Sequence, residues 1–244
     1  MPRTASTPAT TPSRDRSLGA LIWYRVVQCV MTVWLASFFS LRVTGRKNLP
    51  TSGAALLVSN HLSHLDVFVI GILLQRPLNY VARSTLFVPG VGAFIRSVGG
   101  FPIQREGLGA SGMKETLRRL RAGGIVALFP EGTRSRDGEL AEVKAGVALL
   151  ASRAKVPIVP VALAGTFEAW PRNRPFPSPY PLRIHFGPPI YPDAVADLDG
   201  ATVTVMIRTR ILDCQRTARA GVAGDLGDEA ARQRIAVGDS GRLG

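Results

Sequence analysis

The sequence predicts an α/β domain, a mostly parallel central sheet flanked by helices, preceded by a hydrophobic membrane-associated helix. Three observations carry that prediction. Short uninterrupted apolar runs at 54–58 and 124–129 have the length of buried strands. They alternate with segments of helix length, as βαβ units do. Two runs end in dense polar clusters, residues 60–66 and 130–135, and in a parallel sheet sites form outside the carboxyl ends of strands.

Residues 1–17 are rich in Thr, Ser, Pro and Arg, lack apolar periodicity and are expected to be disordered. Residues 18–41 make the most hydrophobic long segment. Arg25, Gln28 and Thr32 recur there at i, i+3 and i+7, a narrow polar stripe on an apolar helix. Trp23, Tyr24 and Trp34 suit a membrane interface. Arg25 would interrupt the core of a signal peptide, and a spanning helix fits by length alone. A helix lying in one leaflet, its stripe turned to headgroups or to the domain, fits the stripe better.

Short elements follow. Residues 42–45 read as an edge strand, 54–58 as a buried strand and 67–74 as a helix. A strand is expected at 78–82, then an apolar stretch at 86–96 punctuated by Pro89, Gly90 and Gly92, then a strand at 101–103. Residues 113–121 read as a helix with Arg118, Arg119 and Arg121 on a solvated face. The strand at 124–129 precedes a helix over 141–154 and a strand at 156–163, which Pro157 and Pro160 assign to an edge or an irregular pairing. A proline-rich loop at 171–181 carries Arg172 and Arg174. A last strand at 182–186, a helix over 202–219 and a loose tail at 220–244 complete the chain.

The 244 residues allow one domain with appendages, and 46% hydrophobic residues suffice for its core. The formal charge is +13, and residues 76–136 hold ten Lys/Arg against three Glu. Such a field favours anionic partners, whether phospholipid surfaces or phosphorylated small molecules. Nucleic acid is disfavoured: only 7% of residues are aromatic, and no nucleic-acid motif is present. Cys29 and Cys214 form neither a metal-ligand cluster nor a disulfide framework, which fits a reducing compartment.

The organising stretch is Asn60-His61-Leu62-Ser63-His64-Leu65-Asp66. Ser63 and Asp66 fit a capping box opening the 67–74 helix. In a continuous helix, residues five apart diverge by about 140°, so His61 and Asp66 meet only if the chain turns between them. A strand–turn–helix junction supplies that turn. A carboxylate on one imidazole nitrogen would fix the tautomer and free the other as a base. On these residues alone, a helix cap flanked by ordinary histidines is an equal reading.

The motif resembles the H-x4-D signature of the glycerolipid acyltransferases, the 1-acyl-glycerol-3-phosphate acyltransferase family. Three further blocks stand in that family's order: Gly99-Gly100-Phe101-Pro102-Ile103-Gln104-Arg105, Phe129-Pro130-Glu131-Gly132-Thr133-Arg134-Ser135 and Val156-Pro157-Ile158-Val159-Pro160-Val161. The resemblance implies that residues 42–219 form an acyltransferase domain on the cytoplasmic face of the cell membrane. His61 would take a proton from a lysophospholipid hydroxyl, and Asp66 would orient it. Substrate would be bound by Arg105, Glu131, Gly132, Thr133, Arg134 and Lys144, with Glu131 accepting from hydroxyls or orienting an arginine. No metal or cofactor is implied; acyl-CoA or acyl-carrier protein is the co-substrate. Phosphatidic acid is the leading product. Glycerol 3-phosphate and lyso-ornithine lipid are alternative acceptors, a thioesterase or a non-catalytic membrane module the alternative classes. Arg83 stands where members commonly carry lysine, which leaves the oxyanion donor unassigned.

Overall fold

Strands buried on both faces need near-continuous apolar runs. β2 (Ala55–Ser59) meets that demand, with all five residues buried. The computed structural model describes residues 17–103 and 109–240, with side chains as far as 227. β2 is joined by β1 (Arg42–Thr44), β3 (Leu78–Arg83), β4 (Gly100–Ile103), β5 (Ile125–Leu128), β6 (Ile158–Ala164) and β7 (Arg183–Phe186). The order across the sheet is β1-β7-β6-β2-β5-β3-β4. Neighbours run parallel except β6 and β7, which are antiparallel.

Helices α1 (Leu18–Phe39), α2 (Leu65–Ile72), α3 (Val91–Ser97), α4 (Gly109–Arg121), α5 (Gly146–Ala154), α6 (Thr166–Ala169) and α7 (Gly200–Ser240) complete the fold. Alternation along β2 divides its side chains between two cores. Leu57 packs with Leu35, Leu65 and Ile70 of α1 and α2. Leu56 and Val58 pack with Leu120, Leu150 and Ile207 of α4, α5 and α7. Each such aliphatic side chain contributes about 1.5–3 kcal/mol on full burial.

Two of the three stripe residues of α1, Arg25 and Gln28, face the domain, while Thr32 is exposed and bonds back to the Gln28 carbonyl. Gln28 Nε2 donates to the carbonyls of Gly71 and Leu74, both at 2.9 Å, and Arg25 reaches Gln28 and the Gln75 carbonyl. Trp23 Nε1 donates to Ser97 Oγ of α3 at 2.9 Å. Away from that stripe Ile22, Val26, Val30 and Val33 are exposed, beside exposed Val91 and Phe94 of α3. α1 is long and apolar enough to cross a membrane by length and composition.

Three expectations differ from the fold. Residues 141–145 are not helical, because their backbone is engaged by the 129–131 loop: Ala141 N donates to Glu131 Oε2 and Lys144 N to the Pro130 carbonyl. The proline-bearing strand β6 is interior, between β7 and β2. Pro160 sits just past the β7-paired residues, where its carbonyl still accepts the Gly187 N–H at 2.8 Å, so the missing N–H costs only the return bond of that last pair. The C-terminal helix runs past Arg219 to Ser240, where the sequence suggested a loose tail. Val222 is buried there and Asp225 pairs with Arg183 and Arg42, contacts that offset the helix cost of Gly221 and Gly224. The expected disorder of the N-terminal tail concerns residues outside the described ones, except for Ser17, which caps α1.

Candidate active site

Where β2 ends, Asn60 continues the pairing with its side chain. Its Nδ2 donates to the Leu163 carbonyl at 2.9 Å, and its Oδ1 accepts the Leu163 N–H at 2.8 Å. The chain then turns through His61 to His64 into α2. Asp66 Oδ2 gathers the turn: it accepts from His61 Nδ1 at 2.8 Å, Leu62 N at 2.6 Å and Ser63 N at 2.8 Å. Ser63 Oγ accepts from Leu65 N at 3.2 Å and donates to the Trp170 carbonyl at 2.9 Å. The Ser63 N–Asp66 bond is the carboxylate half of the capping box expected from the sequence, while Ser63 Oγ takes the Leu65 N–H in place of the Asp66 N–H and the N-cap position falls at His64. Asp66 is fully buried, and its Oδ1 has no hydrogen-bond partner among the described residues.

The His61 backbone is clasped from the loop after β5. His61 N donates to Glu131 Oε1 at 2.7 Å, and the His61 carbonyl accepts from Ser135 N at 2.7 Å. The ring stacks on Phe129, with centroids 4.0 Å apart. A carboxylate only accepts, so His61 Nδ1 carries the proton and Nε2 is left unprotonated toward the cavity that His61 lines. An imidazole fixed in this way can take a proton from a bound hydroxyl.

Glu131 lies beneath this turn rather than on the cavity wall. It is 3% exposed, and both of its oxygens accept backbone N–H groups, those of His61 and Ala141. Burial pushes its carboxyl up to about 7, against the lowering effect of those two donors. The ligand contact expected of Glu131 is therefore taken up by the backbone. Gly132 has φ +67°, and a Cβ there would lie 2.9 Å from Lys144 Nζ. The backbone conformation favours glycine, and the missing Cβ leaves room for the flexible end of Lys144.

The cavity encloses about 920 Å³. At its His61 end stand Arg83, Thr133, Arg134, Lys144 and Arg172. Arg83 Nη2 donates to Thr133 Oγ1 at 3.3 Å. Arg134 Nη1 is buried without a hydrogen-bond partner. Burial, and then the charges of Arg172 and Arg83, hold the Arg134 guanidinium below its ordinary pKa. His64, ringed by Trp170, is likewise lowered by burial and by Arg134 and His61. Among the described residues no Asp or Glu lines the cavity. Unneutralised cations crowded in this way fit a phosphate-bearing ligand.

The structure thus brings together His61, Asp66, Gly132, Thr133, Arg134 and Lys144, and sets Glu131 behind them. Arg105 lies outside the described residues. The sequence marks Arg172 only as a loop cation. It is carried to the cavity because Trp170 is tied to Ser63 and packs on His64, a tertiary link with no local sequence signal. The sequence marks Phe129 only as part of its block, and its one hint of the stack on His61 is an aromatic residue directly after a buried strand.

Comparison with known proteins agrees with this architecture. A family model described as Acyltransferase matches residues 40–164. The 1-acyl-sn-glycerol-3-phosphate acyltransferase of Bacillus subtilis is 31% identical over 144 residues, 58% of this chain and 71% of that protein. That of Borreliella burgdorferi is 26% identical over 185 residues, 75% of this chain and 74% of its own length. A chloroplastic relative from Arabidopsis thaliana is 33% identical over 138 residues, and there the chain spans 38% of the relative's length. The crystal structure of the 1-acyl-sn-glycerophosphate acyltransferase of Thermotoga maritima shares the fold, with a TM-score of 0.67 at 23% identity, covering 86% of this chain and 83% of that one. From the matched segment, which contains both the His61 turn and the loop that clasps it, the chain belongs to the acyltransferase family.

Proposed function

We propose that the chain transfers an acyl group from a thioester donor to the free hydroxyl of 1-acyl-glycerol 3-phosphate, giving phosphatidic acid. His61 Nε2 takes the hydroxyl proton as the oxygen attacks the thioester carbonyl. Asp66 holds the ring and stabilises the imidazolium. The tetrahedral intermediate collapses with loss of the thiolate, and His61 returns the proton to that sulfur. Arg134, with Arg83, Lys144 and Arg172, holds the acceptor phosphate. Arg105 belongs with them on its block alone. Glu131 acts through the His61 backbone as a positioning residue.

The observation that carries this reading is the 2.8 Å His61–Asp66 pair opening onto a cavity whose rim holds arginines and, among the described residues, no carboxylate. Relatives named as 1-acyl-sn-glycerol-3-phosphate acyltransferases support the same acceptor. The exposed apolar residues of α1 and α3 support seating in one leaflet, which the proposal places at the cytoplasmic face. The donor carrier is acyl-CoA or acyl-carrier protein. An assay of the purified protein with one acyl donor and a panel of lysolipids tests the acceptor. Lysophosphatidic acid should be the best substrate, and preference for a lysolipid without phosphate would overturn the assignment.

A further inference from the structure

The cavity has two unlike walls. Toward α3 it is apolar, with Phe68, Val91, Phe94 and Ile95, and among the described residues no charged side chain of α3 lines it. Toward α4 and α5 it runs past Gly146 and Leu149 to Arg153, which share one face of α5 at i, i+3 and i+7. With a rise of about 1.5 Å per residue, Arg153 lies about 10 Å along the axis from Gly146. Nothing lies within 4 Å of the point where a Cβ on Gly146 would sit, so that wall is open at its start. At its far end Arg153 is exposed, and its one described side-chain contact is Nη1 against Met113 Sδ at 3.8 Å. No carboxylate of α4 competes for it: Glu115 is already paired with Arg118 and Arg119.

We propose that the α4–α5 wall binds the pantetheine arm of the acyl donor, with Arg153 pairing the phosphate at the end of that arm. This rests on the acyl-transfer reading above and names the donor side of the same site. An acyl chain ends in a methyl group, which a guanidinium does not recognise, and so belongs on the uncharged α3 wall. A pantetheine arm is narrow and mixed in polarity, and it ends in phosphate whether the carrier is coenzyme A or acyl-carrier protein. The rim arginines beside His61 are then left to the acceptor, and the two phosphates are held by separate cations.

Four thioesters of one acyl chain test this: acyl-CoA, acyl-4′-phosphopantetheine, acyl-pantetheine and acyl-carrier protein. Arg153→Ala should raise KM for the three phosphate-bearing donors roughly ten- to a hundredfold, and leave acyl-pantetheine and the acceptor KM unchanged. Gly146→Leu, a better helix former that fills the gap, should raise KM for all four. The ratio of acyl-CoA to acyl-carrier protein turnover in the parent identifies the carrier. An unchanged donor KM in either variant overturns the proposal. So does an effect confined to acyl-CoA, which would move the contact to the nucleotide, or a shift in acceptor KM instead. Calorimetric titration of coenzyme A into parent and Arg153→Ala, without acceptor, separates the two readings. Weaker binding by the variant upholds the donor site even if lysophosphatidic acid proves not to be the acceptor.

Discussion

Two regions of the site, a few ångströms apart, are built on opposite terms. Beneath His61 the turn is tied at both backbone groups, the ring is stacked, and Asp66 and Glu131 accept five N–H groups between them. At the rim, Arg83, Arg134, Lys144 and Arg172 have no carboxylate partner among the described residues. The lower region is preorganised and leaves nothing for a ligand except His61 Nε2. The rim is incomplete until an anion arrives. Chemistry that needs fixed geometry thus rests on a dense hydrogen-bond network, in which Asp66 Oδ1 alone of the four carboxylate oxygens has no partner among the described residues, while recognition rests on unspent charge.

The sharpest way to break this division is to remove the group on which the lower region converges. His61→Ala should lower kcat by about two to four orders of magnitude, with acceptor KM nearly unchanged and the fold intact by circular dichroism. Asp66→Asn should come close to it, since an amide cannot accept from Nδ1 and both backbone donors in the same way. Near-normal turnover in a folded His61→Ala protein would remove the base from the scheme. At the rim, Arg134→Ala should act on the other parameter. It should raise acceptor KM roughly tenfold to a hundredfold with donor KM unmoved, and Arg134→Lys should fall between, keeping charge without the bidentate fork. If Arg134→Ala instead depressed kcat alone, the two regions would not be separable.

The smallest effect concerns Glu131 and pH. Its carboxyl titrates near 4.5 in the unfolded chain and at about 7 in the fold, so the native state holds the proton more tightly. That contribution to stability is fully present below about pH 4.5 and is lost as pH rises through about 7. Lowering pH from about 8 to about 6 should therefore stabilise the parent by about 1 kcal/mol relative to Glu131→Gln. Activity should move the opposite way, because only the ionised form accepts from both His61 N and Ala141 N. Denaturant melts and initial rates at the two pH values check both signs. Identical pH responses of parent and variant would remove Glu131 from the positioning scheme.

The strands and the His61–Asp66 junction were legible because each rests on local rules: apolar runs, a capping box and a turn. What escaped was set by contacts distant in sequence. Glu131 looked like a ligand residue because its block says nothing about Ala141, ten residues on, whose N–H takes its second oxygen. The 141–145 segment has helical composition, yet the hydrogen bonds it makes to the 129–131 loop win. Pro160 argued for an edge, and only the register against β7 shows that its carbonyl is still bonded, by Gly187 N, so that one return bond is all the proline forgoes. Arg172 reaches the cavity through Trp170, two residues away and anchored more than a hundred residues back in the chain, at Ser63.

One bond set described above fixes a length. Gln28 of α1 satisfies carbonyls at the carboxyl end of α2, and the amino end of α2 carries Asp66 and, through it, His61. α2 has eight residues, so one rod of about 12 Å links the exposed apolar face to the base. On a bilayer seated against that face, His61 would stand at a constant depth, and a lipid hydroxyl at headgroup level would meet it without leaving its leaflet. Gln28→Leu would loosen the rod at one end. Activity on vesicle-borne lysolipid should then fall while activity on detergent-dispersed lysolipid holds, and equal losses in both would mean that depth is set elsewhere.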